Sequence, residues 1–189
     1  MTKTRPNVLI AMGGNLHFEG KSPVETAISA IKCMPQEGLT LRRISRFFKT
    51  PSFPDGTAPD YVNVALSIVS DLPPHEILTA LHRIEQRFGR IRQQRWGMRT
   101  LDLDLLAVGQ SILPDRTAFQ TWYDLPQSGQ SQAAPNQLIL PHPRLQDRAF
   151  VLIPLADIAP EWVHPVLGQS VAEMCALLPR ADVAAIRAI

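Results

Sequence analysis

Arg95-Trp96-Gly97-Met98-Arg99-Thr100-Leu101-Asp102-Leu103-Asp104-Leu105-Leu106, or RWGMRTLDLDLL, places two alternating aspartates in an apolar run directly behind two arginines. Alternation is the period of a β-strand, whose successive side chains point to opposite faces. Thr100 to Val108 is therefore predicted as a strand. Asp102 and Asp104 share one of its faces, and Leu101, Leu103 and Leu105 take the other. Cα atoms two residues apart in a strand are separated by roughly 6.5–7 Å. Two carboxylates at that spacing can converge on one or two hard cations, and paired catalytic magnesium ions sit about 3.5–4 Å apart. The same pattern also suits an exposed face whose aspartates pair with Arg95 and Arg99, an arrangement that contributes little stability.

Working outward, Asn7 to Met12 is a short apolar run ended by glycines and reads as a buried strand. Ser22-Pro23-Val24-Glu25 is a capping box with proline at the first helical position, so a helix runs from there to about Met34. Leu39 to Thr50 is predicted as one long strand, stopped at Pro51. Ser52 to Pro59 holds Pro, Asp and Gly and is a loop. Tyr61 to Val69 is β-rich. A second helix opens at Pro73-Pro74, carries Ile77, Leu78, Leu81, Ile84 and Phe88 on one face, and stops at Gly89. With the strand after it, the order β-α-β-β-α-β predicts an α+β fold: a ferredoxin-like core of antiparallel sheet and helices, followed by a C-terminal extension.

Beyond Gly109 the periodicity weakens. Ser128 to Asn136 is low in apolar residues and reads as a surface loop. Leu138-Ile139-Leu140 is a candidate short strand. Arg148 to Ile158 is apolar enough for a buried helix, interrupted by Pro154. Ser170-Val171-Ala172-Glu173 is a second capping box, opening a C-terminal helix with Val171, Met174, Cys175 and Leu178 inward. With no internal repeat and no composition shift, residues 1–189 read as a single domain.

A formal charge of +2 is too small to argue for bulk binding of nucleic acid or membrane, and the distribution matters more. Gln86 to Arg99 holds Arg87, Arg90, Arg92, Arg95 and Arg99 with no acid. That local patch suits a small anionic ligand better than a long polyanion. Cys33 and Cys175 are far apart with no metal spacing, as expected for free thiols in a reducing compartment. Neither a signal peptide nor a membrane span is read, so a cytoplasmic protein is expected.

Arginine forks match phosphate oxygens. Together with the aspartate pair, they make a nucleoside triphosphate held by side chains and metal a candidate ligand. A Walker A loop is not the means, because GGNL lacks the lysine and hydroxyl that one requires. Tyr61 and Asn63, two apart on a strand, can stack on and hydrogen-bond to a flat heterocycle; a strand-edge tyrosine in solvent is the plainer alternative. His142, between Pro141 and Pro143, sits on a rigid turn. A ferredoxin-like RNA-binding module would instead carry exposed aromatics on its central strands.

Taken in order, the blocks IAMGGNL, FFKTPSF, PDYVNVAL, GRIRQQRWGMRTLDLDLL and LPHPRLQDRAFVLIPLADIAPEW resemble the 6-hydroxymethyl-7,8-dihydropterin pyrophosphokinases of folate biosynthesis. The resemblance implies transfer of the β,γ-pyrophosphoryl group of ATP to the hydroxymethyl oxygen of a reduced pterin, with release of AMP. It implies that Asp102 and Asp104 hold two Mg²⁺ ions. Arg90 and Arg92 match a mobile catalytic loop that closes over ATP, with Arg95 and Trp96 at its end and Arg99 facing phosphate. His82, Glu85, His142 and Arg148 match groups around the nucleotide. Tyr61 and Phe150 match the rings that sandwich the pterin, Asn63 its amide partner, and Thr50 and Pro51 the wall beside it. Small-molecule substrates, no nucleic acid, no membrane and a monomer are the expected partners and state. The sequence departs from the family at Gly14, where serine is frequent, at Gln93-Gln94, and in a longer region from about Ala118 to Asn136.

Overall fold

The computed structural model describes residues 5–52, 58–89, 98–126 and 135–189. Strand β1 (Asn7–Gly14) is followed by α1 (Pro23–Cys33), β2 (Thr40–Ile44), β3 (Phe48–Thr50), β4 (Tyr61–Val69), α2 (Pro74–Arg87) and β5 (Asp102–Val108). The C-terminal part adds α3 (Arg116–Tyr123), α4 (Ala149–Ile158), α5 (Val171–Ala176), α6 (Arg180–Ala184) and a two-residue strand β6 (Arg187–Ala188). The sheet runs β5-β1-β4-β3-β6, with β2 also on β4, and every pairing is antiparallel. This is the predicted ferredoxin-like α+β core.

The long strand expected from Leu39 to Thr50 is two strands. Both lie along the same edge of β4: Thr40 to Ile44 opposite Val69 to Leu66, and Phe48 to Thr50 opposite Asn63 to Tyr61. Between them Ser45 turns inward, where its hydroxyl accepts Ala65 N–H at 2.9 Å.

The sheet is buried on both faces, which explains the unbroken apolar run in β1. Val8, Ile10 and Met12 pack with Val64, Leu66 and Ile68 under α1 and α2. Leu9 and Ala65 pack on the other face with Val151, Leu152 and Leu155 of α4 and Val171 and Met174 of α5. Each fully buried large apolar side chain contributes roughly 1.5–3 kcal/mol. β5 serves both faces through a bulge. Opposite Leu9 and Ile10 it presents Ala107 and Leu105, leaving Leu106 as the extra residue. Leu103 and Leu105 therefore face α1 and α2, whereas Leu106 and Ala107 both face α4. Asp102 and Asp104 alternate with Leu103 and Leu105, so they stand on the α4 face.

Helix starts follow the sequence. Ser22 and Ser170 make the two expected capping boxes. Pro154 does not interrupt α4, which runs through it. The ring removes the amide that would bond the Phe150 carbonyl, but Phe150 lies in the first turn of the helix and is 38% exposed. Helix α3 has no counterpart among the expected elements. Leu138 to Leu140 forms only a single bridge, Leu140 to Leu113, rather than a strand. No helix among the described residues is long and apolar enough to cross a membrane.

Candidate active site

One end of the sheet collects most of the singled-out residues. Asp102 pairs with Gly13, and Gly13 pairs on its other side with Asn63, so these three stand abreast on the α4 face. Gly13 keeps the middle of the row open. A methyl group there would lie 2.6 Å from Asn63 Oδ1. Asn63 is buried and donates from Nδ2 to Thr50 Oγ1 at 2.8 Å, which fixes its amide orientation. Tyr61, two residues back on the same face, pairs with Thr50 and is half-buried. Thr50 thus acts through its side chain as well as its backbone, while Pro51 is exposed.

The aspartates each face an arginine. Arg99 Nη1 donates to Asp102 Oδ2 at 2.5 Å, and Arg148 Nη1 lies 3.8 Å from Asp104 Oδ2. The Asp102 side chain is 21% exposed and that of Asp104 36%, so both remain reachable from solvent. Burial works against the charge on Arg99, but the attraction of Asp102, Tyr61 and Asp104 prevails and raises its pKa. Arg148, the residue before α4, also lies over the Phe150 ring, 5.7 Å from its centroid.

His142 is carried on the turn after Leu140, whose position is set by its own N–H on the Leu106 carbonyl at 2.8 Å. Burial, then the nearby charges of Arg148 and Arg144, push its pKa down to about 3, against a weaker upward pull from Asp102. Nδ1 accepts the Arg144 N–H at 3.1 Å, which assigns the single proton of the neutral ring to Nε2. Arg144 in turn donates to the carbonyls of Trp122 and Tyr123 at 3.0 Å each, and to that of Leu125. It caps the C-terminus of α3 and ties part of the long region beyond Gly109 to the His142 turn.

Glu85 lies on α2 beneath β5. It is 1% exposed, and Oε1 accepts the Leu103 N–H at 2.7 Å. β5 is an edge strand, and Glu85 satisfies the amide lying between the two aspartates. His82 is half-buried one turn earlier on α2. Arg90, Arg92, Arg95 and Trp96 lie outside the described residues. So does the core of the loop read over Ser128 to Asn136.

Two residues were not singled out from the sequence. Asn15 is 3% exposed and bonds both the Arg99 backbone and the Pro59 carbonyl. Thr100 Oγ1 donates to the Phe88 carbonyl at 2.5 Å, joining the segment before β5 to the end of α2. The glycines ahead of Asn15 were a signal for close backbone approach. Gly14 ends β1, and a methyl group on it would lie 2.5 Å from the Thr100 carbonyl oxygen.

An antiparallel ferredoxin-like sheet carries at one end a carboxylate pair, two facing arginines and a neutral histidine, in an α+β protein. The model of the 7,8-dihydro-6-hydroxymethylpterin-pyrophosphokinase (HPPK) family matches residues 9–160, and the chain belongs to that family. A 2-amino-4-hydroxy-6-hydroxymethyldihydropteridine pyrophosphokinase of Synechocystis is 35% identical over 170 residues, covering 88% of this chain and 73% of that protein. One from Pseudomonas aeruginosa is 34% identical over 172 residues, covering 91% of each. Among solved structures, an HPPK-DHPS in complex with substrates aligns with a TM-score of 0.65 over 92% of this chain and 43% of its own. At 12% identity that likeness shows the fold.

Proposed function

We propose that the chain transfers the β,γ-pyrophosphoryl group of ATP to the hydroxymethyl oxygen of 6-hydroxymethyl-7,8-dihydropterin, releasing AMP, in folate biosynthesis. The observation that carries the reading is the row Asp102–Gly13–Asn63. It sets a carboxylate pair and a heterocycle-binding amide on one face, separated only by a glycine.

Asp102 and Asp104 fit Mg²⁺. They are hard oxygen donors on one face, open to solvent, and this ion commonly takes one or two carboxylates and completes its shell with phosphate oxygens and water. Bound there, two ions would neutralise phosphate charge and lower the pKa of the pterin alcohol. The protein's part is positioning and charge. Arg99 and Arg148 balance the carboxylates, and their guanidinium charge suits phosphate oxygens. His142, neutral with its proton on Nε2, donates a hydrogen bond without adding charge. Tyr61 and Phe150 supply ring faces for the pterin, and Asn63, held by Thr50, supplies its amide oxygen to the ring edge. Glu85 sets the aspartates rather than touching substrate, while His82 lies towards the nucleotide. As the resemblance implies, Arg90 and Arg92 serve catalysis, and Arg95 and Trp96 bind the nucleotide.

Incubation with MgATP and the reduced pterin tests the proposal by the release of AMP. ADP instead of AMP, or release that does not require pterin, would refute it.

A further inference from the structure

We propose that Asn15 is a positioning residue that joins the pterin side of the site to the nucleotide side, an inference resting on the function proposed above. Its amide bonds to both flanks. Nδ2 donates to the Pro59 carbonyl at 3.0 Å, and Oδ1 accepts the Arg99 N–H at 2.9 Å. The orientation is unambiguous, since a flipped amide would set donor against donor and acceptor against acceptor.

Each arm leads directly to functional groups. Pro59 is two residues ahead of Tyr61, where β4 begins, and four ahead of Asn63. Arg99 carries the guanidinium on Asp102. The Arg99 peptide is held from several directions: its carbonyl accepts the N–H groups of Asn15 at 2.9 Å and Leu16 at 3.2 Å. Directly beneath, Gly14 lets the Thr100 carbonyl come down onto the end of β1. Asn15 is therefore buried under a rigid strand end and reaches the two segments on either side. A ligand that settles one segment settles Asn15, and through it the other. Asn15 thus acts as a link between the two segments rather than as a binding group of either.

The test exploits the separability of the two arms. At about pH 8, Asn15→Asp is ionised: it keeps an acceptor for Arg99 N–H and loses the donor for Pro59. Calorimetric titration measures the affinity of wild type and Asn15→Asp for a nonhydrolysable ATP analogue with Mg²⁺, for the reduced pterin, and for each in the presence of the other. Wild type is expected to show positive coupling in the common range of about 5–150-fold. Asn15→Asp is expected to keep each separate affinity within about threefold while the coupling factor falls close to one. Wild-type coupling in Asn15→Asp, or a wild type that binds both ligands without coupling, overturns the inference. A wild type that fails to bind both ligands overturns the functional reading instead. If Asn15→Asp does not fold, Asn15→Ser, whose single hydroxyl cannot span both partners, is measured by the same criterion.

Discussion

Glu85 Oε1 accepts the N–H of Leu103 at 2.7 Å, and Leu103 is the residue between Asp102 and Asp104. A buried carboxylate on α2 thereby fixes the stretch of β5 that carries the acidic pair. Because leaving a buried donor without its partner costs about 1–3 kcal/mol, Glu85→Leu should lose that much stability and also need more Mg²⁺ for half-maximal activity. Glu85→Gln retains an acceptor and should stay near wild type on both counts. Thermal melts and Mg²⁺ titrations of turnover check this; a glutamine variant as impaired as the leucine variant would argue against the amide contact.

Gly13 and Gly14 should respond differently to alanine. In Gly13→Ala the new methyl meets Asn63 Oδ1 at 2.6 Å, a side chain that yields by giving up its bond to Thr50. We expect the KM for pterin to rise about 10–100-fold, for a loss of about 1–3 kcal/mol, with the KM for ATP little changed. In Gly14→Ala the obstacle is the Thr100 carbonyl, which is backbone. That change should destabilise the fold and impair both substrates. Steady-state kinetics with each substrate varied, alongside melts, separates the two.

His164 predicts a pH dependence of stability. It is fully buried, its Nδ1 accepts the N–H groups of Val166 and Leu167 at 3.2 Å each, and burial lowers its pKa to about 4. The unfolded chain, with an ordinary histidine pKa near 6.5, binds the proton first. Stability from this group is therefore full above about pH 6.5, declines as pH falls towards 4, and levels off below, a loss of about 3 kcal/mol. Chemical denaturation across that range should show the decline. The His164 ring resonances should not titrate above about pH 5; a midpoint near 6.5 would refute the assignment.

Much of the fold was legible because its signals are local. The capping boxes at Ser22 and Ser170 and the alternation in β5 each write their element into a few adjacent residues. What was missed depends on contacts distant in sequence. The break between β2 and β3 lets one strand, β4, pair with two, helped by Ser45 bonding across to Ala65. Helix α3 is only eight residues long; its start is marked by Asp115, which caps Ala118 N–H, but its end is held by Arg144 from a later turn. At the site, residue types and strand positions were readable: Asp102, Asp104, Tyr61 and Asn63 could all be placed on strands. The work of Glu85 and Asn15 was not, because a glutamate on a helix and an asparagine after two glycines acquire their partners only when β5 and the Pro59 segment pack beside them.

In the proposed function, Asp102 and Asp104 together hold the divalent ions between triphosphate and pterin. Titration of Mn²⁺ by electron paramagnetic resonance, with a nonhydrolysable ATP analogue and the pterin present, tests it on wild type, Asp102→Asn and Asp104→Asn. Two ions per wild-type chain are expected, and loss of at least one in either variant, with melting and nucleotide binding showing that the protein remains folded. Two ions bound with unchanged affinity in both variants would contradict it.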